Sequence, residues 1–485
     1  RAYLWEKDGF RFDMGPSWYL MPDAFEQFFK LMGTSADEQL KLVRLDPAYQ
    51  TRNEGLGDKI PMPQSVDGIK RMFDGIEPGA GKQLGKYLES AEEAYELSIK
   101  HFLYTNFRDL RSFTQPDVLK KLGRFLMLLT TSLYNFSGKY VKDERLKKML
   151  NFPAVFLGAS PYETPSMYHL MTHVDMNQGV FYPMGGIHTI IESLTRLAES
   201  HGVEIHTSSP VQQILVQNKK AVGVKLASGE IRADVVVATA DLQHVETKLL
   251  QEQHQSYPAK WWEKKVAGPS ALLLYLGVKG KIDELDHHTL LYTADWKTNF
   301  AEVFHAPDGK RRVPNPASLY ICMPSKTDKN VAPAGHENIF VLVPTAADPS
   351  IGKGGINGAG DARLESAADL VIEQISNWCN IPDLAERVVV RRTVGPMDFV
   401  NEFNAWNGTA LGMAHTLFQS AFFRPKNKSK KVHNLLYAGQ NTLPGIGLPM
   451  CLIGAELVYK HLTEDRSSGP LKGEVESVTS WKGLR

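Results

Sequence analysis

Cysteine is scarce in this chain of 485 residues: three, Cys322, Cys379 and Cys451, lie far apart and outside any C-x-x-C spacing. A disulfide framework and a cysteine-built zinc site are thereby excluded, and a reducing compartment fits best. Net charge is nearly absent too, with 55 Lys plus Arg against 54 Asp plus Glu, so nothing draws the protein as a whole to nucleic acid. Long apolar runs are missing. FLMLLTTSLYNF, 125–136, falls well short of the roughly 20 residues a membrane-spanning helix requires. No G-x-S-x-G and no Cys/His signature supports nucleophilic catalysis. His169 and His173 stand at i and i+4, but HLMTH has no interposed glutamate and no evident third ligand, so no metal is expected. The adjacent His287 and His288 read as surface residues whose rings point apart.

What is present is a nucleotide-fold signature near the C-terminal end. Asn434–Leu462 reads as a short apolar strand, a glycine-rich turn and an amphipathic helix. Gly439 permits a sharp turn, and Gly445 and Gly447 flank Ile446 before the helix, leaving backbone N–H groups to face an anionic or carbonyl-bearing ligand. The competing reading is a strand-to-helix connection whose glycines serve packing alone.

The length suits two domains, interleaved or consecutive. The opening RAYLWEKDGFRFDMGPSWYL alternates like a β-hairpin, and residues 23–150 carry mostly helical periodicity. Ile187, Ile190, Ile191, Leu194, Leu197 and Ala198 make one helical face that ends at Gly202. An extended segment, a meander and the Val-rich strand of 231–241 follow. ALLLYLGV, SLYICM, NIFVLVP and VVVRRTV predict a second sheet, with an amphipathic helix over 362–379. The polar residues 463–485 predict a loose, flexible tail.

Five blocks, FDMGPSWYLMP (12–22), FLGASPYETPSMYHLM (156–171), GVFYPMGGIHTIIESL (179–194), LFQSAFFRP (417–425) and LLYAGQNTLPGIGLPM (435–450), resemble the bacterial-type phytoene desaturases. These belong to the carotenoid desaturase and isomerase family of FAD-dependent oxidoreductases. The resemblance implies an α/β fold: an FAD-binding Rossmann-like domain of the amine-oxidase/glutathione-reductase type, interleaved with a mixed-sheet substrate domain and a helical membrane-facing region. It implies residues 1–22, 179–260 and 396–462 for the FAD domain, and 23–178 with 261–395 for the substrate domain. In that family a G-x-G-x-x-G turn opens the chain, so the resemblance also implies that roughly 40 or more residues of a first βαβ unit precede Arg1.

On this resemblance Arg1 approaches the FAD phosphates or the flavin edge, Gly15-Pro16-Ser17 lies beside the isoalloxazine, and Val211 pairs its backbone with the adenine. Gly439, Gln440, Gly445, Ile446, Gly447 and Met450 present backbone groups to the flavin pyrimidine. Gln440 stands where many relatives in the wider superfamily carry an acid, and it can still hydrogen-bond a ribityl or phosphate oxygen. The implied reaction is dehydrogenation of a hydrophobic polyene by hydride transfer to flavin, with quinone or oxygen as acceptor. Trp406, Phe422 and Phe423 are candidates for π-stabilisation of a cation, or ordinary core or lid aromatics. Glu163 and Asp175 read as solvated or structural carboxylates, and no catalytic base is assigned. Alternatives on the same fold are a carotenoid cis-trans isomerase or oxidase; outside it stands a flavin-free carrier of apolar ligands. Residues 117–150 hold eight basic residues against three acidic ones around the apolar run. With a water-insoluble substrate this suits a cytoplasmic protein held peripherally on an anionic membrane. RPKNKSKKVH, 424–433, reads as an exposed loop and not as a nucleic-acid patch.

Overall fold

A computed structural model describes residues 2–109 and 111–475. Its largest element is a seven-stranded mixed sheet, in the order Val388–Val394, Ser270–Lys279, His336–Thr345, Leu319–Cys322, His288–Tyr292, Tyr49–Asn53, Ile60–Met62. Neighbours are antiparallel except Tyr49–Asn53, which runs parallel to His288–Tyr292. The strand Ser270–Lys279 explains its own sequence. Because successive side chains point to opposite faces, Leu272, Leu274 and Leu276 pack toward the helix Ala362–Cys379. Ala271, Leu273 and Tyr275 face the opening hairpin Tyr3–Lys7/Phe10–Met14. Both faces are covered, so the strand is an unbroken apolar run instead of an alternating one.

A second unit is built around the parallel pair Val236–Ala238 and Leu435–Tyr437, beside the meander Gln213–Gln217, Lys220–Leu226, Gly229–Arg232. The helix His188–Ser200 precedes it and Leu448–Thr463 follows it. Helices Val66–Ile76 and Ala80–Ser98 pack against each other across the break at 77–79. The basic-flanked region does not form one surface helix: Pro116–Lys120, Leu122–Thr130, Leu133–Ser137 and Glu144–Asn151 are separate, interrupted where Thr131 and Ser132 are extended.

The tail differs from expectation over 464–475. Glu456 accepts from the Leu471 amide at 2.7 Å, the Val475 amide donates to Leu31 O at 2.9 Å, and Gln27 Nε2 donates to Leu471 O at 2.9 Å. Hydrogen bonds to the buried Glu456, the half-buried Gln27 and the Leu31 carbonyl hold it where its apolar content would not. Residues 476–485 lie outside the described residues.

Candidate active site

The loop after Leu435–Tyr437 is held from every side by the other blocks. Asn441 Oδ1 accepts from the Met413 amide at 2.8 Å while its Nδ2 donates to Asp241 Oδ2 at 3.1 Å, and the Thr442 hydroxyl donates to Gly439 O at 2.9 Å. Arg424, fully buried, donates to Gln419 O and Met413 O at 3.0 Å each and to Gln440 O at 2.6 Å. That corrects the reading of 424–433 as wholly exposed. Burial brings its guanidinium down to about 10, still charged at neutral pH. A Cβ added at Gly445 would stand 2.5 Å from His415 Nε2, and Gly445 has φ +149°. His415 is itself fixed by a 2.9 Å bond between Nδ1 and Leu157 O. Ile446 packs against Gly158, so 156–171, 417–425 and 435–450 converge here. The backbone of 445–447, with the Ile446 side chain turned inward and a glycine on either side, then leads into the N-terminus of the helix Leu448–Thr463.

The opening hairpin meets the same place. Asp13 accepts from the amides of Ile187 and His188, both at 2.8 Å, and caps the helix His188–Ser200. A Cβ at Gly186 would lie 2.5 Å from its carboxylate. Leu20 and Met21, just past Gly15-Pro16-Ser17, share an apolar cluster with Leu443 and Met450. Two segments separated by more than 400 residues thus adjoin. Val211 packs instead with Val236, Leu435 and Tyr437, at the strand side of the loop. Arg1 lies outside the described residues.

Beside Ser17 lies a packed cluster of rings that the sequence pattern does not show. The Tyr320 hydroxyl bonds Ser17 Oγ and His288 Nδ1 at 2.8 Å each, Trp18 stacks on His288 at 4.2 Å, and Phe156, Tyr320, Tyr49 and Phe152 surround Trp18 with centroids 5.4 to 6.2 Å away. His288 and His287 are buried, contrary to the surface expectation, and meet edge-on at 4.5 Å. Ligand atoms of His287, His288 and Cys322 lie within 4.8 Å of one another. Burial keeps both imidazoles neutral, His287 down at about 3, and pushes the Cys322 thiol up to about 12. His287 Nδ1 bonds the Thr327 hydroxyl at 2.7 Å. The signal for this cluster lay in GPSWY and HHTLLY, whose aromatics meet only through the sheet.

The remaining candidates separate. Glu163 is exposed and bonds His305 Nε2 at 2.8 Å, in keeping with a solvated carboxylate. Asp175 is deeply buried with the Tyr49 hydroxyl donating to it at 2.8 Å. His169 spends both nitrogens, on the Ser90 hydroxyl at 2.7 Å and Ser166 O at 2.8 Å. Trp406 packs on Trp262 at 5.0 Å in a different core cluster, and Phe422 and Phe423 are exposed.

The chain matches the family of flavin-containing amine oxidoreductases over residues 1–456. It is 39% identical to a carotenoid 3,4-desaturase of Haloarcula japonica, over 96% of this chain and 91% of that protein. It is 32% identical to a zeta-carotene-forming phytoene desaturase of Myxococcus xanthus, over 94% and 85%. Among solved structures it superposes on an oxidoreductase from Methanosarcina mazei with a TM-score of 0.59 at 16% identity, covering 95% of this chain and 91% of that one. Putrescine oxidase bound to putrescine gives 0.55 at 12% identity, covering 96% and 90%. These two likenesses show the fold.

Proposed function

The chain belongs to the flavin-containing amine oxidoreductases, and from that premise we propose that it is an FAD-dependent carotenoid desaturase, forming a carbon–carbon double bond in a polyene. The observation that carries this reading is the 39% identity with a carotenoid 3,4-desaturase over 96% of this chain; the packed rings beside Ser17, Trp18, Tyr49, Phe152, Phe156 and Tyr320, add aromatic faces suited to a conjugated hydrocarbon and its cationic transition state. Its alignment over 91% of the Haloarcula desaturase and 85% of the Myxococcus one supports it.

FAD, when bound, supplies the two-electron acceptor that takes hydride from the substrate. The chain's residues do the rest. Gly15, Pro16, Ser17 and the backbone of Gly439, Gln440, Gly445, Ile446, Gly447 and Met450 would hold the ring system, and the backbone of Val211 would serve the adenine. The rings around Trp18 orient the chain of the polyene and exclude water. Residues 1–22, 179–260 and 396–462 form the cofactor domain in this reading, and 23–178 with 261–395 hold substrate. Expression with phytoene and with more conjugated carotenoids, followed by chromatography and mass measurement, tests it. A product lighter by two hydrogens per step is expected; an unchanged hydrogen count would mean isomerisation, and an added oxygen an oxidase. Anaerobic turnover with and without a quinone separates the two acceptors.

No described helix is long and apolar enough to cross a membrane. A membrane-facing surface is proposed on another ground. A ladder of rings, Phe125–Phe102–Phe113–Phe422–Phe423–Phe418, runs with centroids 4.0 to 5.8 Å apart and joins the helices of 99–130 to the loop of 417–423. Phe418 is 69% exposed, and Leu119, Leu122 and Leu126 stand out nearby along the chain. Lys426 Nζ sits 5.2 Å from the Phe107 ring at its margin. Co-sedimentation with anionic vesicles should weaken about tenfold in Phe418→Asp, on the order of one lost buried ring. Equal pelleting of wild type and variant would remove the surface from consideration.

A further inference from the structure

The reaction proposed above must discard a proton as well as a hydride, and one buried group is built to take it. Asp175 lies buried in the turn His173–Gln178, behind Tyr49 of the ring cluster. Its Oδ2 accepts from the Tyr49 hydroxyl at 2.8 Å; its Oδ1 is buried with no hydrogen-bond partner among the described residues. Tyr49 meets Trp18 edge-on at 5.7 Å and Phe152 at 5.3 Å, so the carboxyl stands one ring behind the residue that follows Ser17. A buried carboxyl without a cation is costly and needs an explanation.

The groups facing it offer no neutralisation. From the strand Tyr49–Asn53 comes the Tyr49 phenol, and from His288–Tyr292 the Tyr292 phenol; burial keeps both protonated far above the ordinary range. Of the helices packed against its turn, Val66–Ile76 buries Ile69 and Phe73, and Ala80–Ser98 buries Leu84 and the Tyr87 phenol. His173, on its own turn, packs on Tyr95 and is kept neutral by burial. Desolvation lifts the Asp175 carboxyl to about 7, where it accepts and releases a proton near neutrality.

We propose that Asp175 is the proton acceptor of the desaturation, a role that rests on the carotenoid-desaturase reading. Hydride leaves one substrate carbon with its electron pair, and the adjacent carbon becomes the site of proton loss. That C–H bond breaks, its proton goes to Asp175 Oδ1, and its electron pair becomes the new π bond. Each double bond therefore leaves one protonated carboxyl, which returns its proton to water between turnovers.

The sign of the linkage gives a test that a structural role does not mimic. A carboxyl whose pKa is raised on folding favours the native state only while protonated. Its contribution is full below the unfolded value of 3.8 and is lost as pH rises toward about 7. Asp175→Asn should therefore melt higher than wild type at pH 8, with a gap that closes on acidification to pH 4. In the flavin-loaded enzyme kcat should fall at least 100-fold, and the rise of wild-type kcat with an apparent pKa near 7 should vanish. Asp175→Glu should recover part of kcat and a displaced pH profile. A D175N enzyme within threefold of wild-type kcat and with the same profile overturns the proposal, as does a D175N protein less stable than wild type at pH 8. Wild type that holds flavin yet yields no desaturated product would refute the desaturase reading itself. An infrared carboxyl band in the flavin-free protein, lost in D175N and titrating near 7, would still assign the proton site.

Discussion

Arg424→Met yields a protein that melts far below wild type and emerges from purification without flavin. The reason is the number of groups one side chain satisfies. The guanidinium reaches Gln419 O, Met413 O and Gln440 O from a fully buried position, so its removal takes a donor from each of three carbonyls. At about 1–3 kcal/mol for each buried group deprived of its donor, a loss of roughly 3–9 kcal/mol follows. That is a large part of what holds an ordinary domain folded. Because one of the three carbonyls belongs to Gln440, the damage concentrates on the loop proposed to face the cofactor. Arg424→Lys should rescue little: an ammonium can point at one or two of these carbonyls, whereas the planar fork spans all three. Thermal melting and the ratio of flavin to protein absorbance check it. R424M with a melting point within a few degrees of wild type and full flavin content would show that the loop stands without this anchor.

Arg424 also illustrates what sequence could reveal. FFRP marked the block, but RPKNKSKKVH reads as one polar run, and nothing local shows that its first residue is drawn inward by three carbonyls from elsewhere. The strand Tyr49–Asn53 was hidden in the same way. Its sequence YQTRN is polar, yet all five residues are buried. Gln50 Nε2 donates to the Thr289 hydroxyl at 2.8 Å, Arg52 to Glu284 O at 2.8 Å, and Asn53 Nδ2 to Asp58 Oδ2 at 3.0 Å. Hydropathy cannot register a strand whose burial depends on polar partners, two of these three lying more than 200 residues away. By contrast Ser270–Lys279, Ala362–Cys379 and Leu435–Tyr437 were legible because apolar periodicity is local. The glycine cradle was legible as spacing. The ring cluster was not, since Trp18, Tyr49, Phe152, His288 and Tyr320 belong to five separate segments that only the sheet gathers.

Gly445→Ala should abolish stable flavin binding through one methyl group. Two costs act together. At φ +149° the backbone is in a region that L side chains rarely adopt, worth about 1–3 kcal/mol of strain. The new Cβ would also stand 2.5 Å from His415 Nε2, and that ring cannot swing aside freely, being bonded to Leu157 O and edge-on to Tyr168 at 5.8 Å. Something must move, and the least restrained partner is the 445–447 backbone that forms the cradle. Gly447→Ala is the internal control: its φ of +117° carries the same kind of strain, but its Cβ would meet nothing nearer than Pro449 Cδ at 3.7 Å. Flavin affinity should therefore fall about 100-fold or more in G445A and far less in G447A, read by fluorescence titration of the flavin-free protein. Adding His415→Ala to G445A opens the space but leaves the strain, so the double variant should regain part of the lost affinity. Equal affinities for G445A and G447A would mean that the collision with His415 does not govern the cradle, and that strain alone accounts for the conformation of this turn.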